Sequence, residues 1–299
     1  MAPVFEPGMA RETARRTLER AFEAAALDAA ALDARVLLCA ALGIDHAGLV
    51  RDPQHLLGTA ASQVQSFADR RLRREPVSRI LGYKEFWGVR FALDPAVLDP
   101  RPDTETLVEA LLRHASGEPR LERKILDLGI GSGAILCALL QNFAEAFGVG
   151  VDLSPRACAV ARDNLISQGV ASRALVVCGN WASPIRGGYD FIVSNPPYIV
   201  RNEIARLAPE VGEHDPFLAL DGGEDGLSAY RSLIPSLPGL LAADGVVALE
   251  FGAGQRLDVE ALLRASGLRP FEIRPDLSGE DRVVLARAVA NQPRARDVS

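Results

Sequence analysis

Asn195-Pro196-Pro197-Tyr198 is the run in this chain whose residue types and spacing could do chemistry. It follows Tyr189-Asp190-Phe191-Ile192-Val193-Ser194, an apolar stretch that reads as a buried strand. Each proline fixes φ at about −65° and drives the residue before it toward extended backbone, so Asn195 is presented from a stiff support. The Asn195 side-chain oxygen and a neighbouring main-chain carbonyl can together accept both N–H bonds of a planar NH2 group, while Tyr198 offers a flat face for stacking. The group so held is an amide or an exocyclic base amine. A plain turn at a strand exit would explain an Asn-Pro pair, but not a strand, two prolines and an aromatic together.

Upstream, Lys124-Ile125-Leu126-Asp127-Leu128 reads as a strand, Gly129-Ile130-Gly131-Ser132-Gly133 as a glycine-rich turn and Ala134 onward as a helix, which makes one βα unit. A further strand, Gly148-Val149-Gly150-Val151, ends in Asp152, where a carboxylate can accept both hydroxyls of a ribose. A nucleoside is therefore expected. Read as G-x-G-x-x-A the turn also fits a dinucleotide fingerprint, but Asp127 just before the glycines would repel a pyrophosphate. It suits instead the ammonium of an amino-acid tail, which S-adenosylmethionine carries on its ribose.

The elements that must position these residues follow from periodicity. Apolar spacing predicts helices over Met9 to Ala26, from Asp28 to before Gly43, and over Ala60 to Arg74, so residues 1–75 form a small helical bundle. This bundle carries no catalytic motif and reads as a substrate-recognition domain. Residues 76–103 read as a linker built on a β-hairpin around Gly88, with Phe86, Trp87, Val89 and Phe91 beside it. From 104 to 290 the pattern alternates. Helices are expected over 104–115, 134–142, 155–168, 226–241 and 255–266, and strands over 124–128, 148–152, 174–178, 189–194, 245–251, 268–274 and 281–288. That series is an α/β, doubly wound fold, with the glycine turn and the Asn195 loop on one edge at the carboxyl ends of the strands. Residues 291–299 read as a polar tail.

Nearly end to end, the chain resembles the HemK/PrmC protein-glutamine methyltransferases. The likeness runs through Arg79 to Gly88, Pro100-Arg101-Pro102-Asp103-Thr104-Glu105, Asn195 to Tyr198, Glu213-His214-Asp215-Pro216, Ala219 to Leu227 and Asp276 to Arg282. The resemblance implies a Rossmann-like, seven-stranded class I methyltransferase domain and S-adenosylmethionine as methyl donor. The activity it implies is methylation of the glutamine side-chain amide in the Gly-Gly-Gln tip of class I peptide release factors. By residue-wise match, Asn195, Pro196 and Tyr198 would be catalytic. Asp127, Gly129, Ile130, Gly131, Ser132, Gly133, Asp152, Asn180, Trp181 and Asn195 would hold the cofactor, and Arg101 with Asn195, Pro196, Pro197 and Tyr198 would hold substrate. Three positions depart from the family's pattern. Ile130 stands where threonine is common, Asn180 replaces an aspartate that takes the adenine amine, and Asp99 occupies a position that is often apolar.

The implied reaction is in-line methyl transfer to an amide nitrogen. Acceptors holding both N–H bonds would concentrate electron density on that nitrogen, and no strong general base is expected beside the loop. Competing readings are methylation of an exocyclic amine in DNA or RNA, a glutamine methyltransferase acting on a ribosomal protein, and a non-catalytic adenosylmethionine-binding adaptor. The Pro100 to Glu105 loop looks more like the release-factor branch. Intact Asn195 to Tyr198 speaks against the adaptor.

Composition agrees with a globular two-domain enzyme: 299 residues, 48% hydrophobic and 24% charged. Glu6, Arg11, Glu12 and Arg15 stand near the N-terminus in place of an apolar h-region, and no uncharged stretch approaches a membrane span, so the expected location is the cytoplasm. A net charge of −6 and a pI near 5.4 argue against a phosphate-tracking surface, and no direct nucleic-acid partner is expected. Arg70, Arg71, Arg73, Arg74 and Arg79 form a basic cluster that reads equally as a solvated helix end or a docking patch. Cys39, Cys137, Cys158 and Cys178 are expected to be buried thiols. With the four histidines unclustered as well, no metal is expected.

Overall fold

A computed structural model describes residues 3–116 and 122–289; the expected polar tail lies outside the described residues. The chain divides into two compact units. One comprises residues up to Tyr83 together with Ala208–His214, and the other comprises Lys84–Leu207 with Asp215 onward.

The first unit contains α1 (Arg11–Ala24), α2 (Ala30–Leu42), α3 (His46–Arg51), α4 (Ala61–Leu72), α5 (Val77–Leu81) and, later in the chain, α10 (Pro209–Gly212). Phe22, Leu18, Leu37, Leu38 and Val64 fill its core. α3 was not foreseen, because six residues are too few to display a periodicity. Its N-terminus is fixed by Asp45, whose carboxylate accepts the Gly48 N–H at 2.7 Å. Nor was α5, which occupies part of the expected linker and lies within the first unit.

Most of the basic cluster is neither a solvated helix end nor a free patch. Arg71 is buried and pairs with Asp33 at 2.7 Å and Glu210 at 3.0 Å. Arg74 also pairs with Glu210, at 3.0 Å, while Arg70 pairs with Glu75 and donates to the Ile80 carbonyl. These guanidiniums tie α4 to α2, α5 and α10, a use that charge counting along the sequence does not reveal.

From the boundary residue Tyr83 into the second unit, β1 (Tyr83–Phe86) and β2 (Val89–Ala92) form the expected hairpin. Its two-residue turn places Trp87 at φ 51° and Gly88 at φ 75°. Glu105 accepts the Trp87 N–H at 2.8 Å, which holds this unfavourable tryptophan conformation against α6 (Glu105–Ala115). A single sheet follows, built of β3 (Lys124–Leu128), β4 (Phe147–Asp152), β5 (Ala174–Cys178), β6 (Tyr189–Ser194), β7 (Leu241–Glu250), β8 (Leu268–Pro275) and β9 (Asp281–Ala288). Their order is β5-β4-β3-β6-β7-β9-β8; the first five run parallel and β9 is antiparallel to both its neighbours.

One face of the sheet is covered by a core that includes residues of α6, α7 (Ala134–Asn142) and α8 (Pro155–Ser167). The other face carries α12 (Ser228–Leu233), α13 (Leu237–Leu240) and α14 (Arg256–Ala265). Between β6 and α12 lie two more short helices of this unit, α9 (Arg201–Ile204) and α11 (Phe217–Leu220). Burial on both faces explains why β6 is buried at every position and apolar at four of its six residues. The helix expected over 226–241 is broken. Pro235 and Pro238 cannot supply interior helical N–H bonds, so α12 passes through a 3-10 turn into α13, and β7 begins at Leu241 rather than 245. Cys137 and Cys158 are buried as expected. Cys178 is exposed because β5 is the edge strand, and Cys39 is half-buried.

Candidate functional site

The chain runs outward from β3 through β4 to β5 and then returns to place β6 on the other side of β3, so the β3–β6 junction is the switch point of the sheet. The Ser194 hydroxyl at the end of β6 donates to the Leu128 carbonyl at 2.5 Å, clamping the start of the glycine turn beside the start of the Asn195 loop. Above this junction opens a cavity of about 500 Å³, lined by residues of the second unit, the size of a small-molecule site.

Of the residues singled out in the sequence, Gly129, Ile130, Gly131, Ser132, Asp152, Asn180, Trp181, Asn195, Pro197 and Arg101 line the cavity. Asp127, Gly133, Pro196 and Tyr198 do not. Gly133 serves the scaffold: it caps α7 at φ 84°, and a Cβ there would stand 3.4 Å from the Ala161 Cα of α8. Pro196 is buried. Tyr198 packs against the sheet core, points its hydroxyl at Glu250 Oε1 (3.5 Å), and has its carbonyl held by the Gln255 side-chain N–H at 2.9 Å. Its position is that of a loop anchor.

Asp152 is aimed by main chain. One carboxylate oxygen accepts the Gly131 N–H at 3.0 Å and the other the Ser154 N–H at 2.9 Å, leaving each a further lone pair for a ligand hydroxyl. Trp181 adopts φ 46°, an unfavourable conformation for a tryptophan, with its ring edge beside Gly129. Asn180 precedes it at the cavity wall.

Asp127 is 0% exposed, and neither carboxylate oxygen has a hydrogen-bond partner among the described residues. Burial pushes its pKa up to about 7, and the charge of Asp152 adds to the effect; the Leu136 N–H leans the other way without closing a proper hydrogen bond. An unsatisfied buried carboxylate is costly, and a ligand cation would satisfy it. This orphaned group, the aimed Asp152 and the apolar Trp181 wall fit a nucleoside bearing an ammonium tail.

Asn195 is held by the turn that leads into α6. Its Nδ2 donates to Thr104 Oγ1 at 3.0 Å, which leaves Oδ1 as an acceptor. Arg101 pairs with the buried Asp215, which also accepts the Asp99 N–H at 3.3 Å, and Asp99 pairs with Lys84 at 3.6 Å. The polar residue at 99 is thus explained by its ion pair. Sequence reading missed Thr104, Glu250 and Asn164 as site residues. Buried Asn164 joins the site's supports by holding the Ala92 main chain through both N–H and carbonyl and by donating to the Ser132 carbonyl at 2.9 Å. A polar residue in the middle of a helix that is otherwise apolar on that face was the available signal.

Among the described residues no group of histidine, cysteine, aspartate and glutamate could hold a metal ion, and no helix is long and apolar enough to cross a membrane.

Comparison with known proteins gives two family matches, the PrmC N-terminal domain over residues 13–82 and the methyltransferase small domain over residues 99–210. A release factor glutamine methyltransferase of Bradyrhizobium diazoefficiens is 49% identical over 289 residues, spanning 94% of this chain and 95% of that protein. Another, from Rhodospirillum rubrum, is 49% identical over 261 residues, 87% of this chain and 79% of its own length. The solved structure of a methyltransferase from Pyrococcus furiosus shares the fold at 16% identity, with a TM-score of 0.50 over 73% of this chain and 98% of that one. Sharing half its residues with such enzymes along almost its whole length, the chain belongs to the release factor glutamine methyltransferase family.

Proposed function

We propose that the chain transfers a methyl group from S-adenosylmethionine to the side-chain amide nitrogen of the glutamine in the Gly-Gly-Gln motif of class I release factors. The observation that carries this reading is Asn195, tied through Nδ2 so that its oxygen is left to accept, at the end of a buried strand over the cavity.

Asp152 would take the ribose hydroxyls, Asn180 and Trp181 the adenine, and Asp127 the ammonium of the amino-acid tail. Bound there, S-adenosylmethionine supplies an electrophilic methyl on a sulfonium. The protein's own work is done on the acceptor. An amide nitrogen is a poor nucleophile because its lone pair is delocalised into the carbonyl. Asn195 Oδ1 and the Pro196 carbonyl, each accepting one N–H, would concentrate electron density on that nitrogen and fix its direction. Pro196 and Pro197 keep these acceptors rigid, and Tyr198 anchors the loop from below. Arg101, held by Asp215, stands at the cavity wall where it meets the substrate's main chain.

Incubation of the full-length enzyme with labelled S-adenosylmethionine and, separately, a release factor, a ribosomal protein and DNA tests the assignment. Label on the release factor is expected. Label confined to DNA or to the ribosomal protein would replace the assignment with one of the competing substrates.

A further inference from the structure

Pro196 and Pro197 have no N–H to donate, so the loop that carries the two acceptors of the substrate amide must be fixed from its ends. At its far end the Tyr198 carbonyl accepts from Gln255 Nε2 at 2.9 Å, and the carbonyl of the next residue, Ile199, accepts the Gly222 N–H at 2.8 Å. Gln255 stands at the start of α14, where its main-chain N–H donates to the Gly252 carbonyl at 3.1 Å and its own carbonyl accepts the Val259 N–H at 3.0 Å. Its side chain is thus launched from fixed backbone. The same carboxamide meets two further segments: Nε2 donates to the Gly226 carbonyl at 3.4 Å, and Oε1 accepts the Gly252 N–H at 3.0 Å. Two carbonyls can only accept and an N–H can only donate, so these neighbours allow one orientation of the amide. Both glycines admit the close approach. A Cβ at Gly226 would collide with Gln255 Nε2, and one at Gly252 would stand 2.9 Å from Tyr198 Cδ2 and 3.0 Å from Gln255 Oε1.

We propose that Gln255 is a positioning residue for methyl transfer: by tying the Tyr198 carbonyl to the turns at Gly226 and Gly252, its side chain sets where Asn195 Oδ1 and the Pro196 carbonyl stand over the cavity. The inference rests on the reading of those two groups as the acceptors of the substrate amide. Gln255 does not line the cavity, so it acts only through the loop. The prolines fix φ between the acceptors and Tyr198, and a displacement at Tyr198 is therefore carried to the acceptors rather than absorbed. An amide serves here and a carboxylate does not. A glutamate of the same shape keeps the acceptor for the Gly252 N–H but sets its second oxygen against the Tyr198 and Gly226 carbonyls, and only protonation gives back a donor. Facing those two carbonyls, that carboxyl would titrate above the ordinary glutamate value of about 4.3.

The test uses full-length enzyme with Gln255→Glu and Gln255→Met, assayed on intact release factor at saturating S-adenosylmethionine, with the cofactor Kd measured by calorimetry. At about pH 8 both variants should lower kcat by about ten- to a hundredfold, the scale of a misplaced reacting group, while the cofactor Kd stays within about twofold of the wild type. Measured against the wild type at each pH, the glutamate variant should regain rate several-fold as pH falls from about 8 to about 6. The methionine variant has nothing to titrate and should keep a constant deficit. A loss of stability alone would give no such recovery. Wild-type kcat in both variants, a glutamate deficit that does not shrink on acidification, or loss of cofactor binding in the methionine variant would overturn the proposal. Should Gln255→Glu fail to fold, the methionine variant decides by its kcat and Kd. Because each variant is compared with wild type on the same acceptor, failure of the proposal leaves an active wild-type enzyme. Failure of the glutamine assignment instead appears as a wild type inactive on release factor, and the same comparison is then made on the acceptor that does take the label.

Discussion

Each oxygen of Asp152 already accepts one main-chain N–H, so the carboxylate is rigid before a ribose arrives. Asp152→Ala should weaken S-adenosylmethionine binding by roughly 1 to 3 kcal/mol, the value of a charged hydrogen-bond acceptor, and calorimetry on the purified protein reads this directly. Asn195→Ala should do the opposite: the cofactor Kd stays put and kcat drops by about two orders of magnitude, as when one preorganised polar contact at the reacting group is lost. Asp127 adds a pH dependence whose sign is fixed. Its pKa is raised from 3.8 to about 7 in the folded protein, so ionisation is disfavoured by folding. Its contribution to the stability of the free protein is complete below about pH 4 and is lost as pH rises toward 7. Pairing with the cofactor's ammonium requires the ionised form, so affinity should decline by up to about tenfold per pH unit below about 7. Asp127→Asn should bind more weakly at neutral pH but with that slope flattened. A slope unchanged in the variant would mean that another group carries it.

The elements that hold these residues were legible where they are long and periodic. The strands at 124–128, 174–178, 189–194 and 281–288 and the helix at 134–142 fall at the expected bounds, because an apolar run buried on two faces and a glycine-started helix leave strong local signals. What stayed hidden depends on contacts between distant segments. Thr104 faces Asn195 across 91 positions of sequence, and Gln255 reaches Tyr198 across 57, separations that no local pattern encodes. Short helices such as α9 and α11, four residues each, are likewise set by tertiary packing rather than by propensity. The segment after the Asn195 loop shows how tight that packing is. Gly226 adopts φ 78°, and a Cβ there would stand 2.5 Å from the Tyr198 carbonyl oxygen. Gly226→Ala should therefore lower stability by about 1 to 3 kcal/mol and displace the loop. Urea unfolding together with kcat reads both effects; a variant unchanged in either would show the loop to be looser than its contacts indicate.

At the scale of the molecule, every residue lining the cavity belongs to the second unit, while the first unit is a helical body with its own core. If the first unit is the substrate-recognition domain the sequence leads one to expect, a chain shortened to begin at Lys84 should still bind S-adenosylmethionine yet lose most of its activity on intact release factor. Loss of cofactor binding as well would make that unit a structural support. The central claim is narrower: the atom that receives the methyl group is the side-chain nitrogen of one glutamine. Fragment mass spectrometry of release factor after reaction with the full-length enzyme and S-adenosylmethionine tests it most directly. One methyl group on the glutamine of the Gly-Gly-Gln motif, and none when that glutamine is replaced by glutamate, is the predicted result. A methyl group on any other residue, or one that persists after the replacement, would contradict it.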